Sequence, residues 1–231
     1  MIKFILKIAG KENFEIDSAV PKSYIFGLCI KYFFMKLRGM FLGVGYKNIS
    51  SKCFIGSKVR ILVKKNIEIG DKVKIHNNVK IDALSTEGVK IGSGAVIGEN
   101  CIIECTGTIR NIGKGIIIGN STSFGGNCYL GAAGGIEIGN DVIAGQCVRF
   151  HSENHNYNNL NELIKNQGVS HKGIKVGNNC WIGAGAVFLD GAEIEDGCVV
   201  AANAVVTKKF SKNSIIAGVP AKVIGERKNE N

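Results

Sequence analysis

From Val176 onward an apolar side chain returns every six residues, at Val176, Ile182, Phe188, Ile194, Val200 and Val206. A helix repeats every 3.6 residues and a strand every two, so neither alone sustains a beat of six. The same beat runs through Ile69, Ile75 and Ile81, then Ile91, Ile97, Ile103 and Ile109, then Ile112, Ile118, Phe124 and Leu130. After a slip it resumes at Ile138, Ala144 and Phe150. Six residues are too few to fold alone. They make one short strand and one corner, and this period belongs to parallel β-helices. Each anchor points into a prism, and each coil buries its apolar edge only by stacking on the next.

The shifts of register require residues 82–90, 131–137 and 151–175 to bulge out of the coil. The third stretch is far longer than an ordinary connection, and loops of that size are often functional. It opens within FHSENHNYNN, residues 150–159, and holds His151 and His155, two of the four histidines, with Glu153 between them. Imidazole takes and returns protons near neutral pH. As a general base it helps a hydroxyl attack, an effect worth about 10²- to 10⁴-fold. A carboxylate two residues before His155 could hold the far ring nitrogen, as could a backbone carbonyl. His76, at a corner just after an anchor, reads as a surface residue, and His171 sits at the loop's return with no role assigned.

The 231 residues include 29 Lys and Arg against 19 Asp and Glu, a net charge of +10. That balance favours anionic ligands. Without a recognition helix, zinc finger or aromatic–basic platform, it does not indicate nucleic acid. The 31 glycines follow no Gly-x-y period, which excludes collagen. Eight cysteines, with no signal peptide and no paired zinc-site spacing, read as reduced thiols that mostly fill a core, and no metal site is expected. The stretch from Tyr24 to Val44 is the most apolar, but Lys31, Lys36 and Arg38 interrupt it and make it too short to span a membrane. It reads as an amphipathic helix docked on its own domain or a neighbouring subunit. Contact with an anionic membrane surface is the alternative.

The repeats from about Ile49 to Val206 occur with HSENHNY at 151–157, GNNCWIGAGAV at 177–187, AANAVVTK at 201–208 and AGVPAKVIG at 217–225. In these features the chain resembles the hexapeptide-repeat acyltransferases, which form a left-handed parallel β-helix. Within them it is similar to sugar O-acetyltransferases of polysaccharide, galactoside or maltose type. The resemblance implies an all-β fold in three parts: an N-terminal segment with an amphipathic helix over 1–48, the β-helix over 49–206 with its loop at 151–175, and a cofactor-binding segment and tail over 207–231. It implies transfer of an acetyl group from acetyl-CoA to a hydroxyl of a sugar or saccharide precursor, by direct attack on the thioester. It also implies a homotrimer with active sites between neighbouring prisms; a cytoplasmic location near the inner membrane face is expected from the docked amphipathic front.

Carried over by residue, the resemblance makes His155 the base, with His151 at the cleft wall and Glu153 as the orienting acid. Ala184 and Ala202 match backbone contacts to the pantetheine arm of acetyl-CoA, and Trp181 a wall of the cleft. Thr207 and Lys208 match the nucleotide end, and Lys222 the phosphates. Gly225 stands where the family can carry a further basic residue. Asn127 falls near a position that touches the acceptor, although a corner asparagine is its plainer reading. Three other readings compete. An amino-sugar N-acetyltransferase would usually carry a nucleotide-binding domain, for which about 48 leading residues are too few. A γ-carbonic-anhydrase-like metal enzyme would need three histidine ligands, and His76 lies coils away from the other two. A scaffold without activity would leave the histidine loop unexplained.

Overall fold

The structure, a computed structural model, describes residues 16–41 and 48–228. Most of the expected N-terminal segment before the helix, and the end of the apolar stretch at Val44, lie outside the described residues. From residue 48 the chain winds into a left-handed parallel β-helix with three flat sides. Among the described residues these sides are sheets of eight, nine and seven strands, and a two-stranded ribbon stands apart. Strands that follow one another along the chain sit on different sides, and each pairs in parallel with the strand one coil away.

The six-residue beat is the spacing between sides. Ile69, Ile75 and Ile81 point inward from the first, second and third sides, and all three are buried. Val176, Ile182, Phe188, Ile194, Val200 and Val206 are buried in the same way. The interior is therefore columns of stacked side chains. Phe150 lies face to face with Phe188 at 4.7 Å and meets the edge of Phe124 at 6.4 Å. The cysteines are free thiols, six of them buried in this core. The stack continues past Val206, because Phe210 and Ile216 are buried on strands that pair with the preceding coil.

Two of the three corners are tight. At each turn one residue takes the left-handed conformation, with φ between 52° and 61° at Asp141, Asn179 and Asn213 on one corner and at Asn78, Asn100 and Asn127 on the next. Asparagine and aspartate tolerate that region better than most residues. The third corner, leading from the third side back to the first, is where the chain is free to grow. The bulges expected around 82–90, 131–137 and 151–175 all leave there. So does one that the periodicity hides. Ile109 and Ile112, expected as anchors, are 86% and 51% exposed. They lie in a loop between the strands Ile102–Glu104 and Ile116–Ile118, whose base is closed by the Gly113 N–H donating to Thr106 Oγ1 at 2.8 Å. Their six-residue spacing is fortuitous, since the loop carries them away from the coil.

Among the described residues one α-helix, α1 (Lys22–Phe41), lies along the second side over the first coils. Tyr32 meets Phe54 edge-on at 6.0 Å, Arg38 donates to the Ile55 carbonyl at 2.9 Å, and Lys31 reaches Glu99 at 3.2 Å. A side chain at Gly39 would collide with the Cys53 carbonyl, so glycine sets how closely the helix approaches. The amphipathic helix expected from sequence is thus docked on its own domain. At the other end Lys222–Glu226 runs antiparallel to Ser214–Ala217 and covers the last strand of the second side, where an open edge would otherwise invite pairing.

Candidate functional site

The largest excursion from the third corner runs from Ser152 to Gly173, and its root is held in three ways. The buried Ser152 hydroxyl donates to the Gly131 carbonyl at 2.8 Å and accepts from the Gly134 N–H at 2.9 Å. The buried Asp190 carboxylate accepts the N–H groups of Lys172 and Gly173, each at 2.8 Å. Between them Glu153 Oε2 lies 2.7 Å from His171 Nε2. Beyond the root the two legs form an antiparallel ribbon, with Asn154 opposite Ser170 and His155 opposite Val169. The Asn156 N–H extends it by donating to the Gly168 carbonyl at 3.0 Å. At the tip Gln167 ties the loop to itself by donating to the carbonyls of Asn159 and Glu162, at 2.8 and 2.9 Å.

This geometry corrects one expectation. Glu153 does not reach for His155; its carboxylate goes to His171. The ribbon explains why, because it places 153 opposite 171 and gives His155 an apolar partner across the strands. Alternation along a strand turns Glu153 and His155 to the same side, so the exposed His155 sits one step outward from the Glu153–His171 pair. Sequence reasoning passed over His171. Its signal was symmetry: Glu153 and His171 stand equally far from His151 and Gly173, where the chain leaves and rejoins the coil.

His151 ends the strand Arg149–His151 and faces outward on the third side. Its ring lies 5.4 Å from that of Tyr129, tilted by 35°. Partial desolvation of the ring, then the Arg149 charge, lowers the His151 pKa and keeps the imidazole neutral at neutral pH. Tyr129 donates to Glu104 Oε2 at 3.1 Å, and Glu104 Oε1 meets Lys80 at 3.2 Å. Burial, then the Glu104 charge, pushes the Tyr129 hydroxyl up to about 12. Tyr129 can lean this way because residue 131 is glycine: a Cβ there would lie 2.9 Å from its ring. Nothing in the linear order announces this polar line, since Lys80, Glu104, Tyr129 and His151 come from four different coils.

The expected cofactor residues gather along another edge. Trp181 faces outward on the second side, 58% exposed, between Ile143 and Val199. Ala184 and Ala202 stack at the following corner, joined by the Asn203 N–H donating to the Ala184 carbonyl at 2.9 Å. Lys222 opens the closing strand, exposed and opposite Ala217. Thr207 and Lys208 lie apart from these, exposed on the last coil beyond the third side, with the Lys208 ammonium 5.6 Å from the Phe210 ring. Within one prism the width of the third side, a three-residue strand of about 10 Å, separates the histidine loop from the Ala184–Ala202 corner. Asn127 belongs to a corner ladder: Asn78 donates to Asn100 at 3.1 Å and Asn100 to Asn127 at 3.2 Å. Among the described residues no group of three or more His, Cys, Asp or Glu side chains is placed to hold a metal ion.

Two family profiles match the sequence. Residues 173–208 match the bacterial transferase hexapeptide (six repeats), and residues 51–83 match the hexapeptide repeat of succinyl-transferase. The chain thus carries two stretches of hexapeptide repeat of the kind found in acyltransferases. Among its relatives, a protein of Mycobacterium tuberculosis named "Probable acetyltransferase" is 30% identical over 72% of this chain and 52% of its own length. The galactoside O-acetyltransferase of Escherichia coli is 33% identical over 57% of this chain and 64% of its own. The chain thus spans about half to just under two thirds of these curated relatives. Among solved structures, a mutant of AntD, an N-acyltransferase from Bacillus cereus in complex with dTDP and coenzyme A, superposes with a TM-score of 0.57. It is 19% identical and covers 75% of this chain and 86% of its own. The polySia-specific acetyltransferase NeuO gives 0.50 at 18% identity, over 74% and 83% of the two chains. At such identities these likenesses speak for the fold alone.

Proposed function

We propose that this protein transfers an acetyl group from acetyl-CoA to a hydroxyl of a sugar or saccharide, with His155 as general base. The observation that carries the reading is the loop at 152–173: a ribbon rooted by polar contacts that lifts the exposed His155 imidazole off an otherwise regular hexapeptide-repeat prism. Relatives that share the repeat, among them a galactoside O-acetyltransferase, support the reaction class. A ring nitrogen of His155 takes the proton from the acceptor hydroxyl as its oxygen attacks the acetyl carbonyl. The carbon–sulfur bond then breaks, and the proton passes to the departing CoA sulfur. No covalent enzyme intermediate is needed, because a thioester is already activated. His151 and Tyr129 flank the acceptor on the third side. The small Ala184 and Ala202 leave room for the pantetheine arm, Trp181 walls it, and Lys222 faces the phosphates, while Thr207 and Lys208, across the third side, meet the nucleotide end from a neighbouring prism.

The same reading requires more than one copy. The width of the third side between the histidine loop and the Ala184–Ala202 corner makes a site completed between neighbouring prisms, in a homotrimer, the natural arrangement. The test is release of free CoA thiol from acetyl-CoA over a panel of saccharides, with matched amino sugars beside the hydroxyl acceptors. Turnover on hydroxyl acceptors is expected. Turnover confined to amines would favour N-acetyl transfer instead.

A further inference from the structure

Helix α1 has two apolar faces, and the prism covers only one. Tyr32, Met35 and Gly39 face the coil, and Met35 and Gly39 are buried. On the opposite side Phe26, Ile30, Phe33, Phe34, Met40 and Phe41 are 42% to 80% exposed. At 3.6 residues per turn they fall within one arc of roughly 120°, which contains no acidic residue. A helix that is apolar all round is ordinarily covered all round. Its internal cations do not interrupt the outer arc. Lys31 is held by Glu99, Lys36 by the Ser51 carbonyl and Arg38 by the Ile55 carbonyl.

The charge around this arc identifies what covers it. Residues 48–80, the coils beneath the helix, carry eight Lys or Arg against two acidic residues, Glu68 and Asp71. The last coils, residues 174–210, carry three basic residues against four acidic ones. Even with the closing segment to residue 228 included, that end carries seven basic against five acidic residues, so the basic excess is largest at the end that bears the exposed aromatic arc, where Lys58 lies beside Phe34 and Phe41 and Arg60 is exposed two residues on. A second copy of the chain docked symmetrically there would bring like charges together. An anionic lipid surface would accept the aromatic side chains at its interface and attract the cations. Among the described residues no helix is long and apolar enough to cross a membrane, so the helix would lie in the plane of the surface.

We infer that the outer face of α1 and the basic first coils form a docking surface for an anionic membrane. The inference is independent of the acyl-transfer reading. The test sediments the full chain with phosphatidylcholine vesicles, pure or containing about 30% phosphatidylserine. Binding to the anionic vesicles alone is expected, released by about 0.5 M salt. The double variant Phe33→Ser/Phe41→Ser removes exposed side chains only, and circular dichroism confirms its fold. It should lower the bound fraction at least about tenfold, as should Lys58→Glu/Arg60→Glu. Equal binding to both vesicles, or to neither, would overturn the proposal. So would loss of assembly mass by Phe33→Ser/Phe41→Ser in light scattering without lipid, which would assign the arc to a contact between copies.

Discussion

Phe150 and His151 are neighbours in the chain and lie on opposite sides of one wall. Phe150 is fully buried and stacked on Phe188. His151 faces out against Tyr129. The same division separates the prism from the loop that follows. In the prism every sixth side chain is packed between the equivalent residues of the coils above and below, so each position is held by repetition. In the loop no position repeats. Its shape rests on a few polar contacts, those of Ser152, Asp190 and the Glu153–His171 pair. The difference teaches that stability and chemistry are carried by different residues here, even one bond apart, and substitutions should separate them.

The largest effect is expected inside the prism. Phe188→Ala removes a fully buried ring from a stacked column and should cost about 3–5 kcal/mol of stability, read from urea unfolding. In the protein that still folds, kcat should change little. Loss of catalysis with unaltered stability at this position would erase the distinction between wall and loop. On the other side of the comparison, His155→Ala touches no packed neighbour. It should cut kcat at least about 100-fold, or about 2.7 kcal/mol of transition-state stabilisation, and leave the thermal midpoint and acetyl-CoA binding nearly unchanged. If His151→Ala loses the rate instead, the base sits on the prism wall and not on the loop.

The prism was legible in the sequence because its cause is local and periodic: an inward residue every six positions and a tight corner at two of every three turns. The period misled only at Ile109 and Ile112, where a loop happens to preserve the spacing. The histidine loop was legible as an interruption, but its internal pairing was not. Whether Glu153 meets His155 or His171 depends on how two legs of a ribbon align, which composition and spacing within one leg do not encode. The line from Lys80 through Glu104 to Tyr129 was invisible for a similar reason. Its members lie 24 and 25 residues apart and meet only because coils stack in register.

A smaller effect should come from the root of the loop. Glu153→Gln and His171→Asn each weaken the contact that ties the outgoing leg to the returning one, one step from His155. Each should lower kcat by about tenfold with little change in either KM, since the loss is of positioning. Combining them should add little to either alone, because both remove the same contact. Additive losses would mean that the two side chains act separately, and the loop would then be less of a unit than the prism.

The smallest effect is expected where the comparison predicts neither packing nor proton transfer. Lys222 is exposed on the closing strand and holds no buried neighbour in place. Its role in the proposed site is that of a mobile point charge facing the CoA phosphates. Such a contact is made equally in the ground state and the transition state. Lys222→Ala should therefore raise the KM for acetyl-CoA several-fold, by about 1 kcal/mol or less, with kcat unchanged. Added salt should shrink the difference between variant and parent, because it screens the charge in the parent and has nothing to screen in the variant. The test is initial rate against acetyl-CoA at two ionic strengths. An unchanged KM at low salt would remove Lys222 from the site. A fall in kcat would mean that the edge and the loop are coupled, and that the division between binding along the prism and chemistry on the loop is too clean.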